Sequence, residues 1–257
     1  MWKLRASSKE EPVKLPPETI VYAIGDVHGS RELLAAMLAK IEATAKLEHP
    51  SNRAHIVMLG DYVDKGDDSK GVIDLLINAQ TNLMFDWTFL KGNHEDALLT
   101  FLDRPSFGAQ WQNYGGGHTL SSYGVRTPTS RDDDDIWETT AQALVAAMPP
   151  DHLKFLLSLT ISLQVGGYFF VHAGIRPGRR LKDQDEADLL WIRRAFLNSK
   201  RSLPAVIVHG HSPDMEPYID NRRIGVDTGA YATGRLTCVQ LWGANVRWLH
   251  VTRTDFV

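Results

Sequence analysis

The chain has 257 residues, 43% of them hydrophobic and 23% charged, with a net charge of −3. That length supports one folded body with a substantial core, and the charge balance supplies no basic field for nucleic acid. The single cysteine, Cys238, excludes an internal disulfide and a thiolate zinc site.

Residues 1–17 are polar, charged and proline-bearing, and are expected to form a flexible tail ahead of a single domain over 18–257. They lack the apolar core of a signal peptide, and no later run approaches the roughly 18–20 apolar residues of a membrane span. No membrane partner and a reducing cytoplasm are the expectation.

The first apolar run, Ile20-Val21-Tyr22-Ala23-Ile24, reads as a buried strand that exits into Gly25-Asp26-Val27-His28-Gly29. Ser30 is placed to start a helix whose Leu33, Leu34, Met37, Leu38 and Ile41 share one face. The unit then repeats. Ile56-Val57-Met58-Leu59 exits into Gly60-Asp61-Tyr62-Val63-Asp64-Lys65-Gly66, and a helix follows from about Lys70. Phe89-Leu90 exits into Lys91-Gly92-Asn93-His94-Glu95, with a helix predicted over 95–102. This opening argues for parallel strands joined by right-handed crossovers.

Residues 103–150 break that rhythm and read as a helical or loop insertion beside the site. The stretch from Trp111 to His118 reads as aromatic and flexible, the run Asp132-Asp133-Asp134-Asp135 as a solvated loop, and 136–148 as a helix. Tyr168-Phe169-Phe170-Val171 then runs into His172-Ala173-Gly174, and Ala205-Val206-Ile207-Val208 into His209-Gly210-His211. Strands at 224–226, 236–241 and 246–251 complete a second, mixed sheet. The expected fold class is α/β: two mixed β-sheets packed as a sandwich and flanked by helices.

Five apolar runs end in Asp, Asn or His beside a glycine, which gathers Asp26, His28, Asp61, Asn93, His172 and His211 at one sheet edge. Oxygen and imidazole donors without thiolate suit manganese, iron, zinc or cobalt better than an all-oxygen magnesium cage. There are too many donors for one four-coordinate ion. Two divalent ions roughly 3.5–4 Å apart, bridged by Asp61, would use them all. With two carboxylates and a hydroxide counted, about one positive charge remains, which favours a phosphate dianion.

These motifs, in this order, resemble the calcineurin-like metallophosphoesterases, and more narrowly the bacterial branch of the phosphoprotein phosphatases. Gly210-His211-Ser212-Pro213 and Asp227-Thr228-Gly229-Ala230 belong to the same resemblance, which spans about residues 20–240. It implies that Asp26 and His28 hold one metal, Asp61 bridges, and Asn93, His172 and His211 hold the other. It implies His94 as the acid that protonates the leaving oxygen, oriented and kept cationic by Asp64. Lys65, Asn93 and Arg193 would bind the substrate phosphate, and manganese is the first metal implied.

The resemblance implies hydrolysis of phosphoserine or phosphothreonine in proteins, or of small phosphoesters. Lys65 stands where those phosphatases carry arginine, and it lacks the planar fork. Lysine there looks more like the dinucleoside-tetraphosphate hydrolases, the alternative reading, with Trp111, Tyr114 or Tyr123 to stack adenine. A non-catalytic phosphate- or metal-binding protein is a third reading.

Overall fold

The computed structural model describes residues 2–3, 13–50, 52–129 and 133–256. The first sheet contains β1 (Trp2–Lys3), β2 (Ile20–Ile24), β3 (Ala54–Met58), β4 (Phe85–Phe89), β10 (Arg235–Trp242) and β11 (Asn245–Thr252), in the order β1-β11-β10-β2-β3-β4. Strands β2, β3 and β4 run parallel, and β10 joins them antiparallel to β2. The crossovers are α1 (Arg31–Glu48) and α2 (Ser69–Ala79), with α3 (Asn93–Asp103) following β4. The second sheet is β5-β6-β7-β9-β8, built from β5 (Ser162–Val165), β6 (Tyr168–Val171), β7 (Val206–His209), β8 (Tyr218–Ile219) and β9 (Arg223–Gly225).

Strand alternation makes three core layers. Ile20, Tyr22, Ile24, Ile56 and Met58 face the helices, while Val21, Ala23, Val57 and Leu59 face the other sheet. There they meet Tyr168, Phe170, Val206 and Val208. The opposite faces of β6 and β7, through Phe169, Val171, Ala205 and Ile207, pack on Leu189, Ile192 and Phe196. Those three belong to α8 (Glu186–Trp191), α9 (Arg194–Leu197) and their junction. The α/β sandwich expected from the apolar runs is the observed architecture, with one sheet assignment corrected: the strands expected over 236–241 and 246–251 to complete the second sheet are β10 and β11 of the first, where β10 pairs with β2. No helix among the described residues is long and apolar enough to cross a membrane.

Three local expectations are corrected. The predicted tail is held at its described ends: Trp2 pairs with Val246, and buried Leu15 donates its amide to Gly243. Leu15 belongs to the inter-sheet core and Val13 packs against it; Met1 and residues 4–12 lie outside the described residues. The stretch predicted to be flexible forms α4 (Gly108–Asn113) and α5 (Gly116–Ser122), broken at Gly115 with φ 100°. In the acid run, Asp134 and Asp135 open α6 (Asp134–Ala147), where the helix dipole favours them, while Asp132 lies outside the described residues. Two further α-helices, α7 (Pro150–Ser158) and α10 (Ala230–Thr233), complete the α-helices among the described residues, beside three short 3-10 turns.

One side chain ties the strand exits together. Glu95, in the first turn of α3, is fully buried. Its carboxylate accepts the amides of Asp61 (2.8 Å), Tyr62 (2.7 Å), Val63 (3.2 Å) and Gly92 (2.9 Å). Each buried N–H left unpaired costs about 1–3 kcal/mol. Glu95→Ala is therefore expected to lower unfolding free energy by at least about 3 kcal/mol, and Glu95→Gln by less, since one carbonyl oxygen still accepts. Urea denaturation of the three proteins checks this; a loss below about 1 kcal/mol for the alanine variant would overturn it.

Candidate metal centre

The strand exits bring the predicted residues into one buried cluster. His28, Asp61 and His94 offer ligand atoms within 4.8 Å of one another, and so do Asp61, His172 and His211. Asp61 is the shared member, as its middle strand implied. The imidazole tautomers follow from backbone carbonyls, which only accept. His28 Nδ1 donates to Val63 O at 2.8 Å, and His172 Nδ1 donates to Leu59 O at 2.9 Å. Both Nε2 atoms therefore present lone pairs inward.

His172 Nε2 lies 2.8 Å from Asn93 Oδ1, 3.2 Å from His211 Nδ1 and 3.4 Å from Asp61 Oδ1. Asn93 Oδ1 is itself 2.7 Å from His211 Nδ1. His28 Nε2 faces Asp61 Oδ2 at 3.4 Å. Acceptors crowd together here with too few protons among them. Burial holds His172 down at about 3 and keeps His28 and His211 well below the usual imidazole range, so none of the three contributes positive charge. Burial raises Asp61 far above the carboxylate range, and Glu95 adds to it. A donor set of neutral imidazoles, an amide oxygen and carboxylates fits one or two divalent cations.

Asp26 is buried next to this cluster but outside both triads. Its two oxygens accept the amide of His211 at 3.1 and 3.0 Å. Burial raises its carboxyl well above the usual range, and Asp227 and then Asp61 add to that. His209 is buried apart: its Nδ1 donates to Gly210 O at 2.9 Å, and its Nε2 meets Arg223 at 3.1 Å.

His94 and Asp64 are joined by a 2.8 Å bond from Nδ1 to Oδ2. Two residues that sequence reasoning did not place there share the load. Trp111 Nε1 donates to Asp64 Oδ2 at 3.0 Å, and Thr119 Oγ1 donates to Oδ1 at 2.6 Å. Burial nevertheless raises Asp64 to about 7. Burial, then Lys65 and Arg193, hold His94 well below its usual range. The Asp64 carboxylate orients the His94 ring through Nδ1, as the motif implied. Lys65 Nζ sits 2.9 Å from His28 Nε2. Arg193 is exposed, and its charge also depresses His172 and His211.

The aromatic expectations change as well. Trp111 is fully buried against Phe101, and buried Tyr123 bonds His152 at 2.7 Å, so neither is open to a base. Tyr114 does border the centre, 6.4 Å from the His94 ring. It is joined by Trp191, 38% exposed, and on the His28 side by Tyr231, also 38% exposed. The last two lie in segments with no periodicity to mark them.

Backbone conformation singles out the same residues. Among the described residues, positive φ outside glycine occurs at Glu18, His28, Asp61, Asp64, Lys65 and His211. All but Glu18 are centre residues, where strain of about 1–3 kcal/mol each is held by surrounding bonds.

A family model described as calcineurin-like phosphoesterase matches residues 20–241. The chain is 26% identical over 238 residues to the bis(5'-nucleosyl)-tetraphosphatase PrpE [asymmetrical] of Anoxybacillus flavithermus, covering 84% of this chain and 88% of that protein. It is 27% identical over 183 residues to the serine/threonine-protein phosphatase SIT4 of Candida albicans, covering 70% of this chain and 46% of the relative. A protein serine/threonine phosphatase from Saccharomyces cerevisiae, with similarity to human phosphatase PP5, shares the fold at a TM-score of 0.57 and 16% identity, over 92% of this chain and 80% of that one. With the family match spanning nearly all of the two-sheet body, the chain belongs to the calcineurin-like phosphoesterase family.

Proposed function

We propose that this chain is a metal-dependent hydrolase that splits dinucleoside polyphosphates at a phosphoanhydride bond. The observation that carries the reading is the match to the tetraphosphatase relative over most of both chains. Lysine rather than arginine at position 65 supports the same choice.

His28, Asp61, Asn93, His172 and His211, with Asp26 beside them, would hold two divalent ions, manganese first among the candidates. Bound ions supply Lewis-acid stabilisation of the transition state and make water acidic enough to attack phosphorus. The chain's own part is positional. Lys65 and Arg193 offset phosphate charge, and the Asn93 side chain meets a phosphate oxygen. Asp64, fixed by Trp111 and Thr119, commits His94 Nδ1 and leaves Nε2 for the substrate. One P–O bond forms from water, and the bridging P–O bond breaks to release a nucleoside polyphosphate.

Phosphoserine and phosphothreonine hydrolysis is the second reading, favoured by the SIT4 match and the intact His94–Asp64 pair. With the manganese-loaded protein, kcat/KM for diadenosine tetraphosphate is expected to exceed that for a phosphoserine peptide by about tenfold or more. The reverse order would transfer the assignment to the protein phosphatases.

Asp61→Asn is expected to reduce bound manganese, measured by elemental analysis after gel filtration, together with turnover; full metal content in the variant would refute the bridging role. His94→Asn is expected to retain the metal. It should slow an alkyl phosphate by about 10²-fold or more while slowing nitrophenyl phosphate far less. Equal losses on both substrates would remove His94 from the proton-transfer role.

A further inference from the structure

A cavity of about 450 Å³ opens beside the metal centre, lined by Gly29 to Leu33, the loop Lys65–Asp68, Tyr231 and Arg253. That volume falls within the range of small-molecule sites. Lys65 forms the wall between the two spaces. Its ammonium is 2.9 Å from His28 Nε2 on one side, and it lines the cavity on the other. The Tyr231 ring is 5.4 Å from the His28 ring and 5.3 Å from Lys65 Nζ. A phosphate at the centre therefore has a continuation past Lys65.

The lining carries three cations, Arg31, Lys65 and Arg253, and three carboxylates, Glu32, Asp67 and Asp68, and they are unevenly committed. Asp68 accepts the Gly71 amide at 2.8 Å and lies 3.9 Å from Arg31. Asp67 is wholly exposed and 3.6 Å from His118. Arg253 has no carboxylate partner among the described residues; its guanidinium reaches only the Tyr231 carbonyl, at 3.5 Å. An uncommitted guanidinium, an ammonium and an exposed aromatic ring around one open pocket match a nucleotide's phosphates and base.

We infer that this cavity is the nucleotide subsite of the centre, holding the nucleoside diphosphate portion beyond the attacked phosphorus, with Lys65 and Arg253 at the phosphates and Tyr231 at the base. The inference deepens the proposed function and rests on it for the attacked phosphorus. The subsite itself is tested without requiring tetraphosphate hydrolysis.

The experiment is inhibition of nitrophenyl phosphate turnover by ADP and by inorganic phosphate. In the unaltered protein, ADP is expected to inhibit about tenfold or more tighter than phosphate, a gap of about 1.4 kcal/mol. Arg253→Ala should close most of that gap by weakening ADP alone, and Arg253→Lys should keep most of it. Tyr231→Leu should weaken ADP more than pyrophosphate. ADP binding no tighter than phosphate in the unaltered protein, or Arg253→Ala weakening ADP and phosphate equally, would overturn the subsite. Tight, Arg253-dependent ADP binding in a protein that leaves diadenosine tetraphosphate intact would keep the subsite and sink the substrate assignment instead.

Discussion

The Glu95 carboxylate fixes the metal centre without entering it. Four backbone amides from two strand exits converge on its two oxygens. Burial favours its neutral form and leaves it raised to about 7 even though the N–H bonds pull toward the anion. What those bonds hold is a turn. The turn sets Asp61, whose own carboxylate accepts the His94 amide at 3.1 Å. It also sets the Val63 carbonyl, which fixes the His28 tautomer. From the other strand exit, the Gly92 amide leads directly into Asn93. One buried acid thus orients His28, Asp61, Asn93 and His94 through the main chain.

That arrangement explains where the strain lies. His28 at φ 42°, Asp61 at 54°, Asp64 at 69°, Lys65 at 64° and His211 at 62° all occupy the left-handed region. No regular element would turn five polar side chains inward over so short a distance. The close approach of the two loops is part of the same constraint. A side chain at Gly66 would place its Cβ 2.0 Å from the His28 carbonyl, and one at Gly92 would place it 2.1 Å from Asp61 Oδ1. Glycine at these points lets a loop from one strand lie directly on the next.

The sequence made the framework legible because two signals agreed. Short apolar runs that end at a glycine, such as Ile20–Ile24, mark buried strands, and their exits carry Asp, Asn or His. Ile20–Ile24 is such a strand, buried on both faces, and His172 and His211 arrive beside Asp61 from the second sheet as their strand ends implied. What stayed hidden depended on partners distant in sequence. Glu95 looks like any acid in a first helical turn, since nothing local announces amides more than 30 residues upstream. Thr119 and Trp111 come from helices too short to show a 3.6-residue period. Trp111 looked like a platform for a base because aromatic character is visible in sequence and burial is not.

Lys65 connects these points. In the structure its ammonium donates to the single inward lone pair of His28, at 2.9 Å. That lone pair serves one partner at a time, so Lys65 would have to yield it to any divalent ion held by His28. The surface on the other side of the ammonium is the cavity with Tyr231 and Arg253. An arginine at this position would spread its charge over a rigid fork suited to gripping one phosphate. A lysine on a flexible stem can follow a chain of phosphates instead. The substitution that separates this chain from the arginine-bearing phosphatases is in that sense a change of reach at constant charge, which suits a substrate whose negative charge extends beyond the phosphorus under attack.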